Sequence, residues 1–236
     1  LFAMLLNPGN RNLQSYYAEI TFEKNPERSL AMRQQLLKSN PSVPNAVLLG
    51  NMAMRMAARE RDLAKKEGLY QVAGGAFQKA LELAPDNKDI LNAVAEYLRQ
   101  TGRSADAESL LSGRSDVLWR FYLRDGQFDK AEGILNEMLR QNPSDKEALQ
   151  GLILVAQGKG DRPAIRRLLD TMLPLAATAE EELWVLQRYL EFEFTESTEK
   201  QIASFRERYP DNTHVLLLDA WYRISCGQLQ EALSKL

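Results

Sequence analysis

Apolar residues recur at intervals of three and four along most of the chain. Leu91, Val94, Ala95 and Leu98 are one such set, and that spacing marks one face of an α-helix. Two kinds of break separate the helical stretches. The first is built on proline: Leu6-Asn7-Pro8, Ser39-Asn40-Pro41, Leu83-Ala84-Pro85, Gln141-Asn142-Pro143 and Arg208-Tyr209-Pro210. The residue before a proline is pushed out of the helical region. The Asn, Ser or Asp that follows can cap the next helix. The second is built on glycine: Thr101-Gly102-Arg103, Asp125-Gly126-Gln127, Lys159-Gly160-Asp161 and Cys226-Gly227-Gln228. Glycine accepts the left-handed conformation that ends a helix tightly. Each unit therefore reads helix, Gly turn, helix, Pro turn.

The breaks recur at a nearly fixed distance. Gly126 and Gly160 are 34 residues apart, Gly160 and Gly227 are 67 apart, and Pro8 and Pro41 are 33 apart. In the second helices an alanine is followed four residues later by a large apolar residue and then by the proline. Ala73, Phe77 and Pro85 form one set, and Ala131, Leu135 and Pro143 another. Ala107 with Leu111, and Ala232 with Leu236, repeat the pair. In these residues the chain resembles the tetratricopeptide repeat family, whose second helix carries Ala-x3-Phe at a 34-residue period. The resemblance implies an all-α, right-handed superhelical solenoid of antiparallel helix pairs spanning residues 1–236. Three departures stand out. Ser29 and Arg33 replace the Ala and Phe before Pro41, Trp119 replaces a small residue, and no turn glycine is present near Phe192.

The period also slips. Pro41 and Pro85 are 44 residues apart, while Gly102 and Gly126 are only 24 apart. A long unit over 42–87, with helices near 44–62 and 64–84, and a short unit over 88–112 are expected. Residues 1–6 read as the tail of a second helix. Leu229, Leu233 and Leu236 form an apolar stripe on the last one. Natural arrays end in helices with a polar outer face, so the chain reads as part of a longer array cut within a repeat at both ends.

Composition narrows the chemistry. Of the 236 residues 44% are hydrophobic, and 30 basic residues face 32 acidic ones, a net charge of -2. A nucleic-acid binder normally shows a basic face, and from residue 121 onward 19 acids outnumber 14 bases. No apolar run reaches the length of a membrane-spanning helix, so any membrane attachment is expected through segments outside this sequence. Catalysis needs a constellation of groups. The single histidine, His214, reads as a surface or capping residue, and the single cysteine, Cys226, as a buried or half-buried structural thiol. No Cys/His cluster has metal-ligand spacing, and no cofactor motif is present. Gly74-Gly75 lacks the Gly-Lys-Ser/Thr ending of a phosphate loop and reads as close helix packing. Residues 180–199 hold seven acids against Arg188 alone, either a solvated face or a docking patch for a basic partner. The aromatic residues read as core, although a tryptophan exposed on the inner groove would anchor a ligand.

The family resemblance implies a non-catalytic protein–protein interaction scaffold with a concave groove lined by first helices. It places Asp89, Asn92, Glu96, Arg99, Asp116, Arg120, Glu147 and Gln150 toward that groove. Acidic residues at these places argue against the Lys/Asn/Arg clamp with which chaperone-binding members grip a terminal carboxylate. A second candidate surface is a basic ledge of Arg55, Arg59, Arg61, Lys65 and Lys66, interleaved with Glu60, Asp62 and Glu67. Within the family the chain resembles the tetratricopeptide scaffolds of bacterial exopolysaccharide export proteins of the PelB type. That implies a periplasmic setting and docking of a polysaccharide-modifying enzyme such as a deacetylase or hydrolase, with the polysaccharide itself as a further possible ligand. The alternatives are a scaffold of pilus or envelope assembly, a cytoplasmic adaptor and, less favoured by charge, an RNA-binding helical repeat.

Overall fold

A computed structural model describes residues 10–209 and 212–233, without the side chains of 195–197. The expected helix tail at 1–6, Pro8, the Pro210-Asp211 turn and Leu236 lie outside the described residues. Among those described, all regular structure is helical: α1 (Arg11–Ile20), α2 (Pro26–Ser39), α3 (Val43–Arg59), α4 (Leu63–Leu83), α5 (Lys88–Gln100), α6 (Ser104–Leu110), α7 (Ser115–Arg124), α8 (Phe128–Gln141), α9 (Lys146–Lys159), α10 (Arg162–Met172), α11 (Ala179–Glu191), α12 (Thr195–Arg208), α13 (His214–Ser225) and α14 (Leu229–Leu233). A short 3-10 turn, Leu173–Leu175, follows α10. The chain divides into two compact units, one ending at Phe121 and one beginning at Tyr122.

In the first unit each helix from α1 to α5 packs on the next, and the first helices α3 and α5 also touch. In the second unit α8 packs on α9, α9 on α10, and so on to α14, with first helices α11 and α13 in contact. Contacts between helices one or two places apart are those of stacked helix pairs. Many starts carry a side-chain cap, although Ser42 after Pro41 makes no cap hydrogen bond. The side chains of Asn25, Asp62, Asn87, Asp145 and Asp161 each accept from a backbone N–H in the first turn of the following helix, each cap contributing about 1 kcal/mol. Gly102, Gly126, Gly160 and Gly227 all have φ between +71° and +77°.

Five residues beyond each of three turn glycines comes the small residue on which a pair closes: Ala107, Ala131 and Ala232, each at most 2% exposed. Leu111 and Leu135, four further on, are fully buried. In α4, Ala73 and Phe77 fill the same roles. Phe77 lies so close to α3 that a Cβ on Gly50 would come within 2.6 Å of its ring. The units that depart from the repeat fill the same sites with other residues. Ser29 and Arg33 are 1% and 2% exposed, and Thr198 and Ile202 are 0% and 2%. Near Phe192 the missing glycine is replaced by Glu193, which takes φ 59°.

Helix α4 has 21 residues and α6 has 7. At 1.5 Å per residue these are roughly 31 Å and 10 Å long, so α4 runs far past the short helix two places on.

Candidate functional site

The ledge residues divide into two groups. Arg55 donates to Glu19 Oε1 at 3.0 Å, and its guanidinium lies 4.0 Å from the ring centroid of buried Phe22. Arg59 holds both oxygens of Glu23, at 2.9 and 3.2 Å. That hydrogen bond is the main cause holding the Glu23 carboxyl below its usual range. These two arginines therefore fasten α3 to the end of α1 instead of pairing along their own helix with Glu60 or Asp62. Arg61 and Lys65 lie exposed at the α3–α4 turn. Lys66, one step on, is half-buried with its ammonium 5.9 Å from the Tyr70 ring.

Beneath Arg55 sits Arg33, 2% exposed. It donates to Ser15 Oγ at 2.6 Å and to the Ser15 carbonyl at 2.8 Å, and lies 3.4 Å from Glu19. Burial lowers its pKa, against the pull of Glu19. Glu19 thus bridges a buried and an exposed arginine.

The groove candidates lie half-buried along the first helices, except Asp89, which is exposed. On α5, Glu96 binds Arg99 through two contacts, at 2.7 and 3.0 Å. Asp116 of α7 receives Lys88 of α5 at 3.0 Å and Arg114 at 3.2 Å. Burial would raise the Asp116 carboxyl, but the bonds from Arg114 and Lys88 outweigh it and the pKa is lowered. Arg120 donates to the Asp116 carbonyl at 2.9 Å and covers the Trp119 ring. Glu147 and Gln150 lie on α9. In the same unit Lys146 of α9 grips Glu181 of α11 at 2.6 and 2.7 Å, which is the main cause lowering the Glu181 pKa. Glu19 with Arg55, Glu23 with Arg59, Lys88 with Asp116, and Lys146 with Glu181 all join one first helix, or the turn at its end, to the next first helix. Within each unit, much of the charge on the first helices is internal bracing.

The acidic stretch is partly bracing too. Glu182 is 4% exposed and binds the Arg208 guanidinium with both oxygens. Asp219, equally buried, meets Arg206 at 2.8 Å. The Tyr189 phenol, pushed up by burial and by the Asp170 carboxylate to which it donates, joins α11 to α10. None of these buried charges could be told from a solvated face by sequence alone. Their signal is the distant arginine, which periodicity does not pair.

His214 is exposed at the start of α13, its N–H bonded to Asn212 Oδ1 at 3.0 Å. Cys226 is exposed, not buried or half-buried as expected. It is the C-cap of α13, next to the turn at Gly227. Among the described residues no group of three or more His, Cys, Asp or Glu could hold a metal, and no helix is long and apolar enough to cross a membrane.

Trp119 is 3% exposed, a core residue where a small one is usual. Trp221 is 40% exposed beside exposed Leu217 and Ile224 on α13. One 34-residue period earlier, the counterparts of Leu217 and Ile224 are Leu183 and Leu190, which pack in the core cluster formed with Val215 and Leu218 of α13. The exposed stripe is thus the face that a following helix pair covers in the preceding repeat.

The family model for the tetratricopeptide repeat matches residues 76–109, from the last turns of α4 through α6. The chain carries a tetratricopeptide repeat. Cellulose synthase operon protein C of Pseudomonas fluorescens (strain SBW25) is 29% identical over 142 residues, covering 53% of this chain and 11% of that protein. The chain therefore spans only a small part of that relative. Among solved structures, PilW, a widely conserved type IV pilus biogenesis factor, is 15% identical at TM-score 0.43, covering 88% of this chain and 97% of its own. A tetratricopeptide repeat protein from Parabacteroides merdae is 13% identical at TM-score 0.46, covering 95% and 90%.

Proposed function

We propose that the chain is a protein-docking scaffold of bacterial exopolysaccharide export, working in the periplasm and holding a polysaccharide-modifying enzyme such as a deacetylase or hydrolase. The observation that carries this reading is the 142-residue similarity to a protein named for a cellulose synthase operon, in a chain built of repeat helix pairs. The helix pairs supply a braced surface suited to an extended segment or helix of a partner. With many charges already paired, recognition falls to shape and to polar side chains such as Asp89, Asn92 and Gln150.

The test is direct binding of the chain to the purified polysaccharide deacetylase of the same export system. Saturable binding that weakens on Asn92→Arg or Gln150→Arg, with helicity unchanged, supports the groove. Binding to RNA with no affinity for the enzyme overturns the reading.

A further inference from the structure

Between α4, α5 and α6, wholly within the first unit, lies an open cleft of about 630 Å³. It lies where α4 is flanked by the much shorter α6. Its polar lining comes from Gln71 and Gln78 of α4, Tyr97 of α5, and Arg103, Asp106 and Ser109 at and within α6. Half-buried Leu81 and Leu110 add a small apolar surface, above the buried Phe77 and Leu98. Arg103 and Asp106 hold each other at 2.7 Å while both stay about half exposed. They are the only charged residues lining the cleft, so its lining carries no net charge.

The three glycines of α4, Gly68, Gly74 and Gly75, differ in what surrounds them. Gly74 has a packing reason, because a Cβ there would lie 2.5 Å from Tyr97 Oη and 3.1 Å from Cζ and the phenol would have to shift. Gly75 has no such reason, since a Cβ there would meet nothing within 4 Å. Yet a glycine inside a helix costs about 1 kcal/mol against alanine. Gly68 of the same helix and Gly133 of α8 are equally unopposed, and Gly75 differs from them in lining the cleft.

We infer that this cleft binds a neutral oligosaccharide segment. Its volume falls within the range of small-molecule sites, roughly 300–1,000 Å³. Zero net charge disfavours phosphates and polyanions. Side-chain amides, a guanidinium and a carboxylate together supply donors and acceptors in planar pairs, which match adjacent sugar hydroxyls, while the apolar surface accepts the C–H face of a pyranose ring. The clefts of the second unit are lined differently, one of about 270 Å³ with Glu132, Lys159, Asp161 and Arg167, another of about 420 Å³ with Glu182, Lys200 and Arg208. Sugar binding goes beyond the docking of an enzyme, and either can fail while the other stands.

The experiment is calorimetric titration of the chain with cellotetraose, with tetra-N-acetylchitotetraose, and with trigalacturonate as the charged control. The expected result is binding of at least one neutral tetrasaccharide with Kd of about 1 mM or tighter. Gly75→Leu, which fills the cleft, and Asp106→Ala should each weaken it at least about tenfold with the circular dichroism unchanged. Gln78→Ala replaces Gly75→Leu if that variant does not fold. Absence of binding by both neutral sugars overturns the inference. So does equal binding in the variants, or tighter binding of trigalacturonate than of either neutral sugar. Enzyme docking measured on the same variants should stay unchanged.

Discussion

Glu193→Gly should stabilise the protein. Glu193 is the one non-glycine residue among those described with positive φ, at 59°. Its N–H reaches the Leu190 carbonyl at 3.0 Å, and the Phe194 N–H reaches Tyr189 at 2.8 Å. The turn is built as at the glycine positions, but with a Cβ in the left-handed region. That conformation costs a side-chain-bearing residue about 1–2 kcal/mol. Against the gain stand the greater freedom of glycine in the unfolded chain, up to about 1 kcal/mol, and a long, solvent-exposed contact with Arg162 at 3.5 Å, of little value. The net expectation is about 0.5–1 kcal/mol of added stability. Urea denaturation followed by circular dichroism reads this as a higher midpoint at unchanged slope. Arg162→Met, in the wild type and in the variant, separates the ion contact from the backbone effect, since Arg162 also donates to the Phe192 carbonyl at 2.5 Å. A midpoint lowered by Glu193→Gly in the Arg162→Met background would refute the reasoning.

Four further expectations come from the braces and close contacts. Arg33→Met and Arg33→Ala both remove the donors to Ser15, but only Arg33→Ala also leaves a cavity, so it should be the less stable of the two by about 1–3 kcal/mol; thermal melts distinguish them. Gly50→Ala should destabilise by about 1–3 kcal/mol, because its Cβ would meet the Phe77 ring, and a neutral result would show that the ring can move. The pKa values of Glu23, Asp116 and Glu181 are all lowered in the folded chain. Their contribution is therefore present above the unfolded carboxylate pKa, about 4, and is lost as pH falls through the lowered folded values; denaturation midpoints from pH 7 down to pH 3 should show the loss only at the acid end. Reversing Arg61, Lys65 and Lys66 should leave stability unchanged and weaken a partner that uses the ledge, most at low salt, while reversing Arg55 and Arg59 should loosen α1 from α3 whether or not a partner is present.

The helix pairs were legible because their signals are local. Prolines, glycines and caps punctuate the chain, and Ala73 with Phe77 or Ala131 with Leu135 mark where pairs close. Ser29, Arg33 and Thr198 were harder, since their types do not announce burial, although counting five residues past the turn at Glu193 leads to Thr198. The charged surface was the least legible. Arg55 and Arg59 look like a free basic face beside Glu60 and Asp62, yet they reach Glu19 and Glu23, 36 residues away, because stacking sets successive first helices side by side. The openness at Gly75 is a difference between a space and its neighbours, which no single residue encodes.

The most direct test of the scaffold role is site-specific photo-crosslinking in cells that naturally express the chain, with a benzophenone side chain placed at Asn92 and at Gln150 and the adducts identified by mass spectrometry. The account predicts adducts with an envelope enzyme acting on polysaccharide, at one or both positions and absent from a strain lacking that enzyme. Adducts only with RNA or with cytoplasmic chaperones would contradict it.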